Sequence, residues 1–164
     1  MRAARLDLLQ GMPVFGGIRE DALEFLLARS PVVKVAAGDY FFREGDEGHA
    51  MFVLEEGKAA VLKNWQGQEH ALKYMERGDC FGEMALIDLY PRSASVRAVE
   101  DCTAIELGNA VLLELYEKDL EQFTMIQMNI GRELSRRLRK ADQHLFHAHV
   151  EEKHLSVDDL FELF

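Results

Sequence analysis

Hydrophobic positions change period twice along the chain. Up to residue 30 they recur at helical spacing. Leu6, Leu9 and Met12 share one face, and after the Gly16-Gly17 break Ala22, Leu23, Leu26 and Leu27 form another. Pro31 ends that segment. From Val32 to about Leu107 the pattern shortens to brief alternating runs: Val33-Lys34-Val35, Tyr40-Phe41-Phe42, Met51-Phe52-Val53-Leu54, Ala59-Ala60-Val61-Leu62 and Ala71-Leu72-Lys73-Tyr74. Turn pairs such as Gly38-Asp39, Gly45-Asp46, Gln66-Gly67 and Gly78-Asp79 separate them, and this spacing predicts an all-β sandwich or roll. After Gly108 the helical period returns. Asn109 is the expected N-cap of a short helix to about Glu117, and Asp119 with Gln122 suggests a capping box opening a helix from about Leu120 to Val150.

That last helix carries Ile126, Ile130, Leu134, Leu138, Ala141, Leu145 and Ala148 as its apolar stripe. From Leu134 the spacing is 4-3-4-3, a coiled-coil seam, with Arg136, Arg137, Arg139 and Lys140 largely off it. The stripe outruns a small barrel, so a homodimer through this helix is expected, packing along its own barrel being the alternative. His144, His147 and Glu151 share one helical face, but no fourth ligand accompanies them, so solvated histidines are expected there rather than a metal site. Residues 151–164 form a short tail in which Leu160, Phe161, Leu163 and Phe164 sit among acids. Such a peptide docks in a groove, on its own domain or on a partner.

Composition narrows the class. A chain of 164 residues with 48% hydrophobic and 29% charged positions is one domain with a proper core. No apolar run spans a bilayer, and Asp7 and Gln10 interrupt what would otherwise be a leader-like start. Two cysteines, Cys80 and Cys102, form neither a disulfide framework nor a zinc pattern, and they suit a reduced, cytoplasmic protein. The net charge of −10 has the wrong sign for general nucleic-acid binding.

The candidate chemistry lies in residues 78–98, GDCFGEMALIDLYPRSASVRA. Gly82 lets backbone approach a ligand closely, and a helical turn starting there would aim free N–H groups at an anion. Arg92 supplies a fixed charge and a planar donor fork suited to phosphate. Glu83 would repel an anion, so its role is to accept hydrogen bonds from a neighbouring hydroxyl, as a ribose offers. The bland alternative is a capping turn with a surface Glu83–Arg92 ion pair. No nucleophile–base constellation stands out, so no enzyme is expected.

These residues resemble the phosphate-binding cassette of cyclic nucleotide-binding domains, which occur in bacterial cAMP receptor proteins, protein kinase A regulatory subunits and cyclic nucleotide-gated channels. The pattern is met by Phe81-Gly82-Glu83, Ala85-Leu86, Pro91-Arg92, Ala94 and Val96. The resemblance implies a mainly β fold with flanking helices: a jelly-roll-like β-roll over about 32–107, N-terminal helices, and C-terminal helices over about 109–150. Residues 1–150 would then be the binding domain. It also implies that Glu83 holds the ribose 2′-hydroxyl and Arg92 the cyclic phosphate. Amides around Gly82, Glu83, Met84 and Ala85, with the Ser93 hydroxyl, would complete the shell. Bacterial relatives read adenine with a Thr-Ser pair on the long helix, and aligning on Arg136-Arg137-Leu138 puts Ala141-Asp142 there.

The expected function is a stand-alone sensor of cAMP, with cGMP close behind, read at the base by Asp142 and signalling through a partner protein. No resident cofactor or metal, no DNA contact and no membrane contact are expected. About fourteen residues follow Val150, too few for the helix-turn-helix module that accompanies transcription-factor relatives. An interaction scaffold with a vestigial pocket and a truncated DNA-binding regulator are the competing readings.

Overall fold

The computed structural model describes residues 2–153. The tail expected to form a docking peptide lies outside them, apart from its first residues at the end of the long helix. The chain runs α1 (Arg2–Gln10), a 3-10 turn (Pro13–Phe15), α2 (Glu20–Arg29), β1 (Val32–Val35), β2 (Tyr40–Phe42), β3 (Ala50–Glu56), β4 (Ala59–Trp65), β5 (Gln68–Met75) and β6 (Cys80–Phe81). It continues through α3 (Met84–Ile87), β7 (Ser95–Ala98), β8 (Cys102–Gly108), α4 (Asn109–Lys118) and α5 (Leu120–Lys153). The strands form two antiparallel four-stranded sheets, β1-β8-β3-β6 and β2-β7-β4-β5. This is the expected β-roll with flanking helices.

Period-2 geometry explains why β3 is apolar from Ala50 to Leu54 rather than alternating, since a stretch covered on both faces needs no polar side. Phe52 and Leu54 face the second sheet and join Ala59, Phe81, Val96 and Ala104 in the inter-sheet core. Met51 and Val53 point the other way and pack with Leu23, Leu26, Ile105, Leu107 and Leu115 beneath the helices. Ile126 and Ile130 of α5 join that second core, at 1% and 0% exposure. Past Leu134 the helix outruns the core, and Leu138 and Leu145 are 62% and 60% exposed. Within one chain, nothing among the described residues covers this half of the stripe.

The helix starts differ from the sequence reading in one detail each. Gly108 occupies the cap position of α4 without a side-chain bond, and the Asn109 amide donates to the His49 carbonyl at 2.8 Å. At α5, Asp119 does cap the Gln122 amide at 3.1 Å. The reciprocal half of the box is absent because the Asp119 amide already donates to the Leu115 carbonyl, closing α4. The Gln122 side chain instead accepts the Arg19 amide at 2.7 Å, and Asn129 donates to the carbonyls of Val14 and Gly16. These two amides pin α5 to the N-terminal segment, which sets the direction its free half takes across the β-roll.

Candidate functional site

Between the second sheet, the 82–96 segment and the free half of α5 lies a cavity of about 780 Å³. Its walls include Gly82, Glu83, Met84, Ala85, Arg92 and Ser93, so six of the seven residues expected from sequence come together. The chain reaches this geometry by a tight turn. Gly82 sits at φ +80°, which only glycine adopts without strain, and a Cβ on it would lie 2.6 Å from Arg92 Nη1. The single turn of α3 follows at once.

Arg92 is 7% exposed. Its guanidinium donates from Nη1 to the Gly82 carbonyl at 2.9 Å and from Nη2 to the Ala50 carbonyl at 2.7 Å, with its carbon 4.0 Å from the Phe42 ring centroid. No carboxylate lies within ion-pairing distance among the described residues, and Nε has no hydrogen-bond partner there. Burial pulls its pKa down, opposed by the more distant charges of Asp46, Glu106 and Glu83. A buried cation held rigidly and lacking a counter-ion has the chemistry to take an anion.

Glu83 is buried to 2% exposure, so the surface ion pair with Arg92 does not form. Its Oε1 accepts instead from Arg137 Nη1 of α5. Arg137 also reaches the Cys80 carbonyl at 3.4 Å and Glu133 at 3.4 Å. Burial works against its charged form, but Glu83, Cys80 and Glu133 together leave its pKa raised. The Cys80 thiol behind the site is pushed up to about 12, by burial first and by Glu83 second. It is a packed thiol and not a nucleophile at neutral pH.

The seventh expected residue, Asp142, does not reach the cavity of its own chain. The α5 residues lining it are Arg137, Lys140, Ala141 and His144, a face at i, i+3, i+4 and i+7. At about 100° per residue, Asp142 points roughly 150° away from the centre of that face, and it is exposed. His144, expected to be solvated, is exposed and also lines the cavity.

Several contributors went unnoticed in the sequence. Gly48 carries no signal of its own in the sequence, yet a Cβ on it would stand 2.5 Å from Ala85 Cβ and 2.9 Å from Arg92 Nε. Phe42, read as a strand residue, is the platform under Arg92. Lys73 on β5 lines the cavity, its pKa lowered by burial and by nearby Arg137. The basic face Arg137, Lys140, His144 beside the apolar seam was a readable signal, hidden because the arginine-rich run looked like solvated charge.

Comparison with known proteins places this arrangement. The family model described as "Cyclic nucleotide-binding domain" matches residues 32–119, more than half of the chain. The chain belongs to that family. It is 32% identical over 138 residues to the cyclic AMP receptor protein of Thermus thermophilus, covering 84% of this chain and 62% of that protein. It is 36% identical over 100 residues to the cAMP-dependent protein kinase regulatory subunit of Emericella nidulans, covering 61% of this chain and 24% of that one. Among solved structures, the Thermus thermophilus catabolite activator protein superposes with a TM-score of 0.75 at 32% identity, over 85% of this chain and 64% of that chain. The chain thus spans only part of the length of these relatives.

Proposed function

We propose that this chain is a regulatory domain that binds a 3′,5′-cyclic purine nucleotide in the 780 Å³ cavity and passes the event to a partner protein. The observation that carries this reading is the pair of buried, opposite groups on one cavity: Arg92 without a carboxylate partner, and Glu83 anchored from across the cavity by α5. The cyclic phosphate pairs with the Arg92 guanidinium, with the Ser93 hydroxyl and the amides of Met84 and Ala85 supporting it. The ribose 2′-hydroxyl donates to Glu83.

Signal transfer follows from Glu83 being shared. A hydroxyl arriving at this carboxylate changes the hydrogen bonding of the group that Arg137 holds, and Arg137 sits where α5 leaves the core. Ligand shifts the helix only as far as it binds one helix position better than the other. The uncovered seam through Leu138 and Leu145 is the homodimer surface in this reading, and the cytoplasm is the compartment. No helix of the described residues is long and apolar enough to cross a membrane. The reading is one of binding rather than catalysis: the Cys80 thiol behind the cavity is pushed up to about 12, which keeps it protonated and unreactive at neutral pH.

The expected preference for cAMP rested on Asp142, so both cAMP and cGMP stand as ligands. Calorimetric titration of the full chain with each is the test. Saturable binding near one nucleotide per chain supports the proposal, and no saturable heat with either up to about 1 mM, some 4 kcal/mol of binding energy, overturns it.

A further inference from the structure

We infer that Lys140, assisted by His144 one turn further along α5, selects the base of the ligand and favours a 6-oxo purine, guanine, over the 6-amino purine adenine. The inference rests on the binding mode proposed above. With the phosphate on Arg92 and the ribose on Glu83, the nucleotide is anchored at the cassette end of the cavity. Glu83 is also where Arg137 touches down, so the remaining wall of α5 leads away from the sugar. Lys140 and His144 stand about 4.5 Å and 10.5 Å further along the helix axis than Arg137, and both line the same cavity. A base extending from the ribose passes between this helix face and the apolar side chains of Val61 and Leu72 on the second sheet.

The polar groups along that stretch are donors. Lys140 and Lys73 carry ammonium groups, which donate and cannot accept, and His144 donates from one ring nitrogen or both. The two wall carboxylates belong to the cassette end rather than to this stretch: Glu83 is shared between Arg137 and the ribose, and Asp88, at the end of α3, accepts from the Tyr90 amide at 3.0 Å. Guanine presents two adjacent acceptors, O6 and N7, whereas adenine replaces O6 with a donor amine. A lysine beside that edge pairs with guanine and meets adenine's amine donor to donor. Asp142, an acceptor that suits the adenine amine and the guanine N1–H and N2 amine alike, points away from its own chain's cavity.

The experiment is displacement of a fluorescent cyclic nucleotide from the full-length chain by cGMP, cAMP and cyclic inosine monophosphate. The inosine compound has the O6 and N7 of guanine but lacks its 2-amino group. The wild type should release the probe to cGMP and to the inosine nucleotide at about tenfold lower concentration than to cAMP. Lys140→Met should collapse that ratio towards one, the loss falling mainly on the oxo purines. Lys140→Glu, an acceptor at the same exposed position, should turn it in favour of cAMP, and His144→Ala should reduce it by less than Lys140→Met. A wild type that binds cAMP as tightly as cGMP overturns the inference. So does an inosine nucleotide that behaves like cAMP, or a ratio unmoved by Lys140→Met. In each of those cases the cavity assignment survives, because nucleotide still binds. Only a chain that binds none of the three removes the cavity assignment as well.

Discussion

Replacing Arg92 with methionine separates binding from folding. The guanidinium is fixed by the Gly82 and Ala50 carbonyls and by its stacking on Phe42, so it needs little ordering when an anion arrives. Truncating one partner of a buried charged pair costs about 2–5 kcal/mol. Pre-organisation puts Arg92 in the upper half of that range, so affinity for a cyclic nucleotide should fall about 400-fold or more, about 3.5 kcal/mol. Stability should respond differently. The variant loses two hydrogen bonds to backbone carbonyls, costing about 1–3 kcal/mol, but it also sheds a buried cation that no carboxylate neutralises. The two effects offset, leaving unfolding free energy within about 1 kcal/mol of wild type by urea titration. Arg92→Lys keeps the charge without the fork and should fall between the two in affinity. Calorimetry on the three proteins is the assay. Affinity within threefold of wild type for Arg92→Met would refute the phosphate role.

The Glu83 role is tested by chemistry of the ligand: Glu83→Gln should weaken a cyclic nucleotide about tenfold or more yet barely change the binding of its 2′-deoxy analogue, and equal losses for both would remove the ribose contact. Leu138→Glu with Leu145→Glu places charge on the uncovered seam, so light scattering should show a dimer becoming a monomer that still binds nucleotide, whereas a wild type that is monomeric at high micromolar concentration would contradict the seam. The raised Cys80 thiol gives a pH signature of definite sign: the unfolded chain loses this proton near 9 and the folded one near 12, so its contribution to stability is complete below pH 9 and is lost as pH rises towards 12. Cys80→Ser should flatten that alkaline limb of the urea-unfolding profile, and an unchanged limb would place its origin elsewhere.

Local signals carried most of the fold. Alternation and turn glycines located five of the eight strands directly, because period 2 and left-handed turns are written in adjacent residues. The cassette was legible for the same reason, since Gly82, Glu83 and Arg92 lie within eleven positions of one another. What stayed hidden depends on contacts far apart in sequence. Glu83 and Arg137 are 54 residues apart, and nothing local says that the pair is made. Gln122 looked like half of a capping box because Asp119 stands three residues before it, but its side chain is taken by Arg19, 103 residues away. Asp142 was misplaced for a simpler reason. Alignment fixes a position along a helix, while the cavity selects an angle around it, and one residue is about 100°.

The most direct test of the binding mode is a crystal structure of the full-length chain grown with saturating cyclic nucleotide, cGMP and cAMP in parallel. One nucleotide per chain should occupy the cavity, its phosphate oxygens within hydrogen-bond distance of Arg92, its 2′-hydroxyl on Glu83 and its base beside Lys140. A cavity left empty at saturation, or a nucleotide bound with its phosphate away from Arg92, would contradict that binding mode.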